Sequence, residues 1–175
     1  MNLRGVCGLA LPSVDHGNKT KGTMTGTSLK TEWVMRIEVC CGEPQIIGPT
    51  HGGQRINFPI LSGRVDGTNL SGVVLPGGSD FYIERADGVG VLDARYTLQT
   101  HTGVLVNVLN RGMLVVDSDV APGTWPLPPS RYRCRCTPEF DAPAGELAWM
   151  NQNVFAGAIG YPERGRVVVD IWRLA

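Results

Sequence analysis

Between Thr31 and Leu174 the chain alternates short apolar runs with breaks marked by glycine and proline, and few stretches repeat apolar residues at helical spacing for three turns. The pattern predicts strands in TEWVMRIEVCC, RINFPILSG, NLSGVVLP, DFYIERA, GVLDARYTLQT, GVLVNVLNRGML, RYRCRCTPEF, VFAGAIGYPE and RVVVDIWRL. The links PGGS, ADGVG and HTG are of hairpin length and place Gly where a positive φ is needed, which predicts antiparallel neighbours joined in chain order. PAGELAWMNQ reads as a short helical turn, and VAPGTWPLPPS as a proline-rich excursion that forms a flap or contact arm. Nine such strands without crossover helices imply an all-β chain, closed into a barrel or stacked as a sandwich. The polar, Gly/Thr-rich residues 1–28 read as a flexible N-terminal tail ahead of a single domain spanning 29–175.

Side-chain parity divides the strands sharply. In LDARYTLQT one face carries Asp93, Arg95, Thr97 and Gln99 and the other Leu92, Ala94, Tyr96 and Leu98. In DFYIER, Asp80, Tyr82 and Glu84 share one face, with Phe81, Ile83 and Arg85 on the other. A sheet wetted on one side puts the polar face in water, whereas a barrel with a polar-lined cup puts it inside. Parity alone leaves both arrangements open.

Composition narrows the function classes. Sixteen basic residues balance sixteen acidic ones, so no excess charge draws the chain to nucleic acid or to an anionic membrane. Apolar runs such as GVLVNVL are too short to span a bilayer, and the apolar part of MNLRGVCGLALPSV is short for a signal peptide, so the expected location is the cytoplasm. Five cysteines, an odd number without a CxxC pair, read as free thiols. Cys134 and Cys136 would share a strand face, but no second pair or histidine cluster joins them, and no metal is expected. His51 and His101 sit in turn settings and His16 in the tail, Ser79 has no identifiable base, and DGVGVLDAR lacks the strand, Gly-rich loop and helix of a dinucleotide site. A triad hydrolase and a dehydrogenase are both disfavoured, and no cofactor is expected.

The segments IGPTHGGQRINFPILSG, LSGVVLPGGSDFYIERADG, LDARYTLQTHTGVLVNVLNRG and RYRCRCTPEFDAPAGELAWMNQNVFAG, in this order, resemble domain-of-unknown-function family 3237 over roughly residues 33–174. Phe81 stands where members often carry Trp, THTG replaces a TDDG-like turn, and Met150 falls within a WLN-like motif. The resemblance implies a closed, lipocalin-like antiparallel β-barrel of about 8–10 strands with one short helical turn, paired as a homodimer, with a cavity at one mouth. Most members have no assigned activity, but some in fungal polyketide pathways resemble cofactor-free cyclases, isomerases that add a phenol hydroxyl across a prenyl alkene (hydroalkoxylation) to close an oxygen ring. The expected partner is therefore a small aromatic secondary metabolite, and the rival reading is a non-catalytic ligand-binding barrel.

Proton delivery to an alkene suits a carboxylic acid held in an apolar cup, where burial raises its pKa. Asp80 and Asp93 are the candidate acids, and Arg95 could steer a phenolate or carbonyl oxygen. Arg95 would also lower the pKa of Asp93, and a structural ion pair between them favours Asp80 as the acid. Asp80 has a competing role, since it follows Gly77, Gly78 and Ser79, where an Asp side chain often accepts turn N–H groups. Tyr82 shares the face of Asp80, and Tyr96, Tyr132, Phe140 and Trp149 could wall an aromatic ligand or simply fill the core. Asn107 and Asn151 could orient a ligand carbonyl or bond to backbone. Trp125 in the proline-rich arm is the expected anchor of the dimer.

Overall fold

Each strand's inward side chains can leave water only if the sheet curls until its edges meet. In the computed structural model, which describes residues 28–121, 124 and 126–175, they do. The strands are β1 (Thr31–Cys41), β2 (Gln45–Thr50), β3 (Gly53–Gly67), β4 (Ser71–Val74), β5 (Ser79–Glu84), β6 (Gly90–Thr100), β7 (Leu105–Val116), β8 (Tyr132–Asp141), β9 (Val154–Glu163) and β10 (Arg166–Leu174). From β1 the antiparallel sheet passes through β10, β9, β8, β7 and β6 to β4 and β5, then to β3, which pairs again with β1. The result is a closed eight-strand barrel with two extra strands. β4 and β5 divide one position of the wall between β3 and β6, and β2 adds to the first half of β3.

The barrel expected from the sequence is present, with two differences in its strands. QIIGPT forms β2, which was not expected, and β3 runs through Gly63 and on to Gly67. Both segments carry residues that ordinarily end a strand. Gly63 is tolerated because the β1 backbone crosses so close that a Cβ there would lie 2.1 Å from the Glu38 carbonyl oxygen. The helical turn appears as a 3₁₀ turn at Ala148–Gln152, and a second one at Pro129–Arg131 enters β8.

Alternation is clearest in β8, where Cys134, Cys136, Pro138 and Phe140 are buried and Arg133, Arg135, Thr137, Glu139 and Asp141 are exposed. One half of the interior is solid. Met35, Ile37, Val65, Leu98, Val106 and Ile171 are fully buried there, at about 1.5–3 kcal/mol for each large aliphatic side chain. Phe140, Phe155 and Trp149 stack edge to face beside them. The other half, toward the 85–89 turn and the β2–β3 turn, is looser: Ile56, Phe58, Asp80, Tyr82 and Tyr132 are only half-buried. The interior is thus tightly packed at one end and, around these residues, less completely buried at the other.

Arg131 pins the base of the excursion to Asp117, 3.2 Å away, and to Asp119. The expectations for Trp125 and for the tail over residues 1–27 lie outside the described residues. Among the described residues no helix is long and apolar enough to cross a membrane.

Candidate functional site

The register of three strands builds the site. β5 pairs Asp80 with Phe58 of β3 and with Ala94 of β6, and β7 pairs Asn110 with Ala94. Residues directly opposite in a sheet share a face. Because β6 turns Leu92, Tyr96 and Leu98 into the core, Ala94 faces inward, and so do Phe58, Asp80 and Asn110. One inward row therefore reads Phe58, Asp80, Ala94, Asn110, Pro138.

Asp80 lies mostly out of water, and burial pushes its carboxyl up to about 6. The backbone N–H of Asp93 donates to its Oδ1 at 2.9 Å, which opposes the rise, and the charge of Asp93 adds to it. That bond comes from the neighbouring strand rather than from the Gly77–Ser79 turn. Around Asp80 stand Phe58 and Tyr82, edge to face with ring centres 5.9 Å apart. Gly90 leaves the space that the Tyr82 phenol occupies, since a Cβ there would meet its oxygen at 2.4 Å.

The same interior holds further proton-bearing groups. Burial raises the Tyr82 phenol to about 12, the thiols of Cys41 and Cys134 to about 11, and the Cys136 thiol to about 12. Tyr96 and Tyr161 are likewise pushed up, chiefly by burial. The Asp80 charge contributes to the rise at Cys41, Tyr82, Tyr96, Cys134 and Tyr161, which places all five in one electrostatic environment. Of these inward groups, Asp80 is the one whose proton equilibrium falls near neutral pH, as general acid catalysis requires.

The remaining candidates separate by face and depth. Asp93 and Arg95 project from the outer wall, paired at 3.1 Å, with Arg111 4.0 Å from the same carboxylate. Asn107 is also external, accepting from Thr97 at 3.0 Å and donating to Asp141 at 3.3 Å. Arg95, Thr97, Asn107, Glu139 and Asp141 line an open outer groove of about 580 Å³ beneath the Pro76–Gly78 turn. As candidates for the site of Asp80, Asp93, Arg95 and Asn107 are corrected here, since they lie on the outer wall, and the structural ion pair expected between Asp93 and Arg95 is present. The apolar alternates on β6 and β7 occupy the interior, and the polar face is left to solvent.

Tyr96 is inward and buried one step deeper than Ala94. Tyr132 is inward toward the open end, packed at 5.6 Å on Tyr161, and its hydroxyl accepts the Tyr161 N–H at 3.1 Å where β8 and β9 separate. That seam pairs only Arg135 with Ala158 and Cys136 with Gly157. Phe140 and Trp149 belong to the filled end, both against Phe155. Asn151 clamps Ala142, accepting its N–H at 2.9 Å and donating to its carbonyl at 2.6 Å, so its polar groups are spent on backbone.

Sequence reasoning missed Phe58, Asn110, Tyr161 and the inward thiols. Asn110 had a visible signal, being a lone polar residue in phase with Val106, Val108 and Leu114 on the buried face of β7. Among the described residues no group of three His, Cys, Asp or Glu side chains is disposed to hold a metal.

The family described as "Protein of unknown function (DUF3237)" matches residues 29–174. A UPF0311 protein of Clostridium acetobutylicum is 34% identical over 129 residues, covering 71% of this chain and 81% of that protein. The crystal structure of a conserved protein of unknown function from Rhodopseudomonas palustris superposes with a TM-score of 0.81 at 31% identity, covering 86% of this chain and all of that one. An enzyme from Penicillium herquei shares the fold, with a TM-score of 0.65 at 19% identity over 86% of this chain and 97% of its own.

Proposed function

The chain belongs to the DUF3237 family, and from that premise we propose that its cup binds a small aromatic molecule and that Asp80 is the acid of a cofactor-independent cyclisation. The observation that carries the reading is Asp80 itself: an inward carboxyl, removed from water between Phe58 and Tyr82, whose pKa of about 6 keeps it a competent donor near neutral pH. The reaction proposed is intramolecular hydroalkoxylation of a prenylated phenol-type substrate.

In that step the Asp80 O–H bond breaks and its proton forms a C–H bond at the less substituted alkene carbon. The tertiary cation that develops is attacked by the substrate's own hydroxyl oxygen, forming the C–O bond. The hydroxyl proton then returns to the Asp80 carboxylate. Substrate and product are isomers, and no oxidant, reductant or second substrate enters. Phe58 and Tyr82 offer aromatic faces to the developing cation, a cation–π contact of roughly 0.5–2 kcal/mol. The hydrogen bond from Asp93 N–H fixes one carboxyl oxygen and leaves the other for the substrate.

The test uses 2-(3-methylbut-2-enyl)-1-naphthol as probe, with chromatography to separate it from its ring-closed isomer. Wild type should convert it, and Asp80→Asn should bind it but turn over at least about a hundredfold more slowly, the scale of a lost general acid. Turnover by Asp80→Asn within a few-fold of wild type removes Asp80 from the chemistry. A probe that binds wild type and is recovered unchanged supports a carrier in place of an enzyme.

A further inference from the structure

Two side-chain atoms deep in the cup have no hydrogen-bond partner among the described residues: Oδ1 of Asn110 and the hydroxyl of Tyr96. The two residues are only 4% and 6% exposed. An amide carbonyl or phenol buried unpaired is a standing cost, and native proteins seldom carry one without a use for it. The Asn110 side chain also interacts with the Cys136 sulfur, which offsets part of the rise that burial gives that thiol. Its Oδ1 is the atom left without a partner.

Register brings both atoms to the same wall. Tyr96 pairs with Val108 and Ala94 with Asn110, so Tyr96 and Asn110 are diagonal neighbours on the inner face, within reach of one another. Ala94 lies between Asp80 and Asn110 in the same row, and although it faces inward it is only half-buried. Its methyl group is the smallest side chain in the row of Phe58, Asp80, Ala94, Asn110 and Pro138. Asp80 and Asn110 are two strand spacings apart, about 9–10 Å between backbones, a span closer to the long axis of a fused two-ring aromatic than to a single ring.

We propose that Asn110 and Tyr96 anchor a hydroxyl on the edge of the ligand farthest from Asp80, so that the cup selects hydroxylated aromatics over bare ones. One such hydroxyl satisfies both groups, donating its proton to Asn110 Oδ1 and accepting the Tyr96 O–H. This inference rests on the reading of the cup as a ligand site, and it adds the polarity pattern that the ligand must carry. The two residues position the ligand, while the proton moves at its opposite edge.

The experiment measures binding of 2-naphthol and of naphthalene, by calorimetry or naphthol fluorescence, to wild type, Asn110→Leu, Tyr96→Phe and Ala94→Leu, with the fold of each variant checked by thermal melting. Wild type should prefer 2-naphthol even though naphthalene has the larger drive to leave water. Tyr96→Phe, which removes one oxygen and leaves the ring in place, should weaken 2-naphthol roughly fivefold, the scale of one buried hydrogen bond, and leave naphthalene unchanged. Asn110→Leu should do the same or more, and Ala94→Leu should exclude both probes. If wild type binds both probes without preference, or if Tyr96→Phe and Asn110→Leu leave 2-naphthol affinity intact, the anchor is wrong and the Asp80 reading stands. If wild type binds neither probe, both readings fall.

Discussion

Replacing Asp80 by Asn separates the cost of burying a charge from the use made of it. In the folded chain the Asp80 carboxyl titrates near 6 against an ordinary value of 3.8. The folded state therefore holds its proton more tightly than the unfolded chain does. Stability is complete below about pH 4, falls as pH rises, and has lost the whole contribution above about pH 6. A difference of about two pKa units at 1.36 kcal/mol each makes the ionised carboxylate a burden of roughly 3 kcal/mol at pH 8. Asn has nearly the same shape, and its Oδ1 can still accept the Asp93 N–H that Asp80 accepts at 2.9 Å. Asp80→Asn should thus melt about 5–10 °C higher than wild type at pH 8, at about 2–4 °C per kcal/mol for a chain of this size, and coincide with it at pH 4. Thermal unfolding followed by circular dichroism at five pH values between 4 and 8 measures the difference, in which the other titrating groups cancel. A variant less stable than wild type by a constant amount at every pH would refute the argument, because it would mean that the carboxylate is a strand-bridging acceptor whose charge carries no penalty. A gain in stability accompanied by lost turnover is the signature of a group kept for chemistry.

Other expectations follow from particular contacts. Gly63→Ala should destabilise the barrel by several kcal/mol or yield insoluble protein, because the new Cβ meets the Glu38 carbonyl oxygen at 2.1 Å and neither strand can yield without breaking the β1–β3 closure; solubility and a urea midpoint report it. Arg95→Ala should leave the melting temperature essentially unchanged and turnover of the prenylated naphthol within twofold, since its ion pair with Asp93 lies in solvent on the outer wall; a hundredfold loss of turnover would move the site to the outer groove. Light scattering at micromolar concentration should give twice the chain's 18.9 kDa, as expected if family members pair as homodimers, and a monomer would count against it.

The closed barrel was legible because its signal is repeated in many strands: alternation, hairpin-length links and the absence of helical periodicity agree from Thr31 to Leu174. β2 was not legible, because QIIGPT lacks alternation, and what makes it a strand is the edge of the first half of β3, which β1 does not cover. The role of Asn151 was also beyond the sequence. A polar residue after a helical turn can face a ligand or a backbone, and here the chain's return past Ala142 decides the matter. Tyr132 is similar, since its hydroxyl accepts the Tyr161 backbone N–H at the seam where β8 and β9 part.

Which carboxyl enters the cup was closer to reach than parity on single strands suggests. The ADGVG link closes a hairpin in which Glu84 pairs with Gly90, the Arg85 N–H bonds the Val89 carbonyl at 3.0 Å, and Gly88 takes a φ of +79°. Counting back from that pair sets Asp80 opposite Ala94 and Ser79 opposite Arg95. Even-numbered residues of β5 therefore share a face with even-numbered residues of β6, so Asp80 and Asp93 could never point into the same space. Once Leu92, Tyr96 and Leu98 are accepted as core, Asp93 and Arg95 must face out and Asp80 must face in. The polar face of β6 and the buried acid of β5 are thus two consequences of a single hairpin register. A chemical reading that needed both acids inside was excluded by geometry before any pKa was considered.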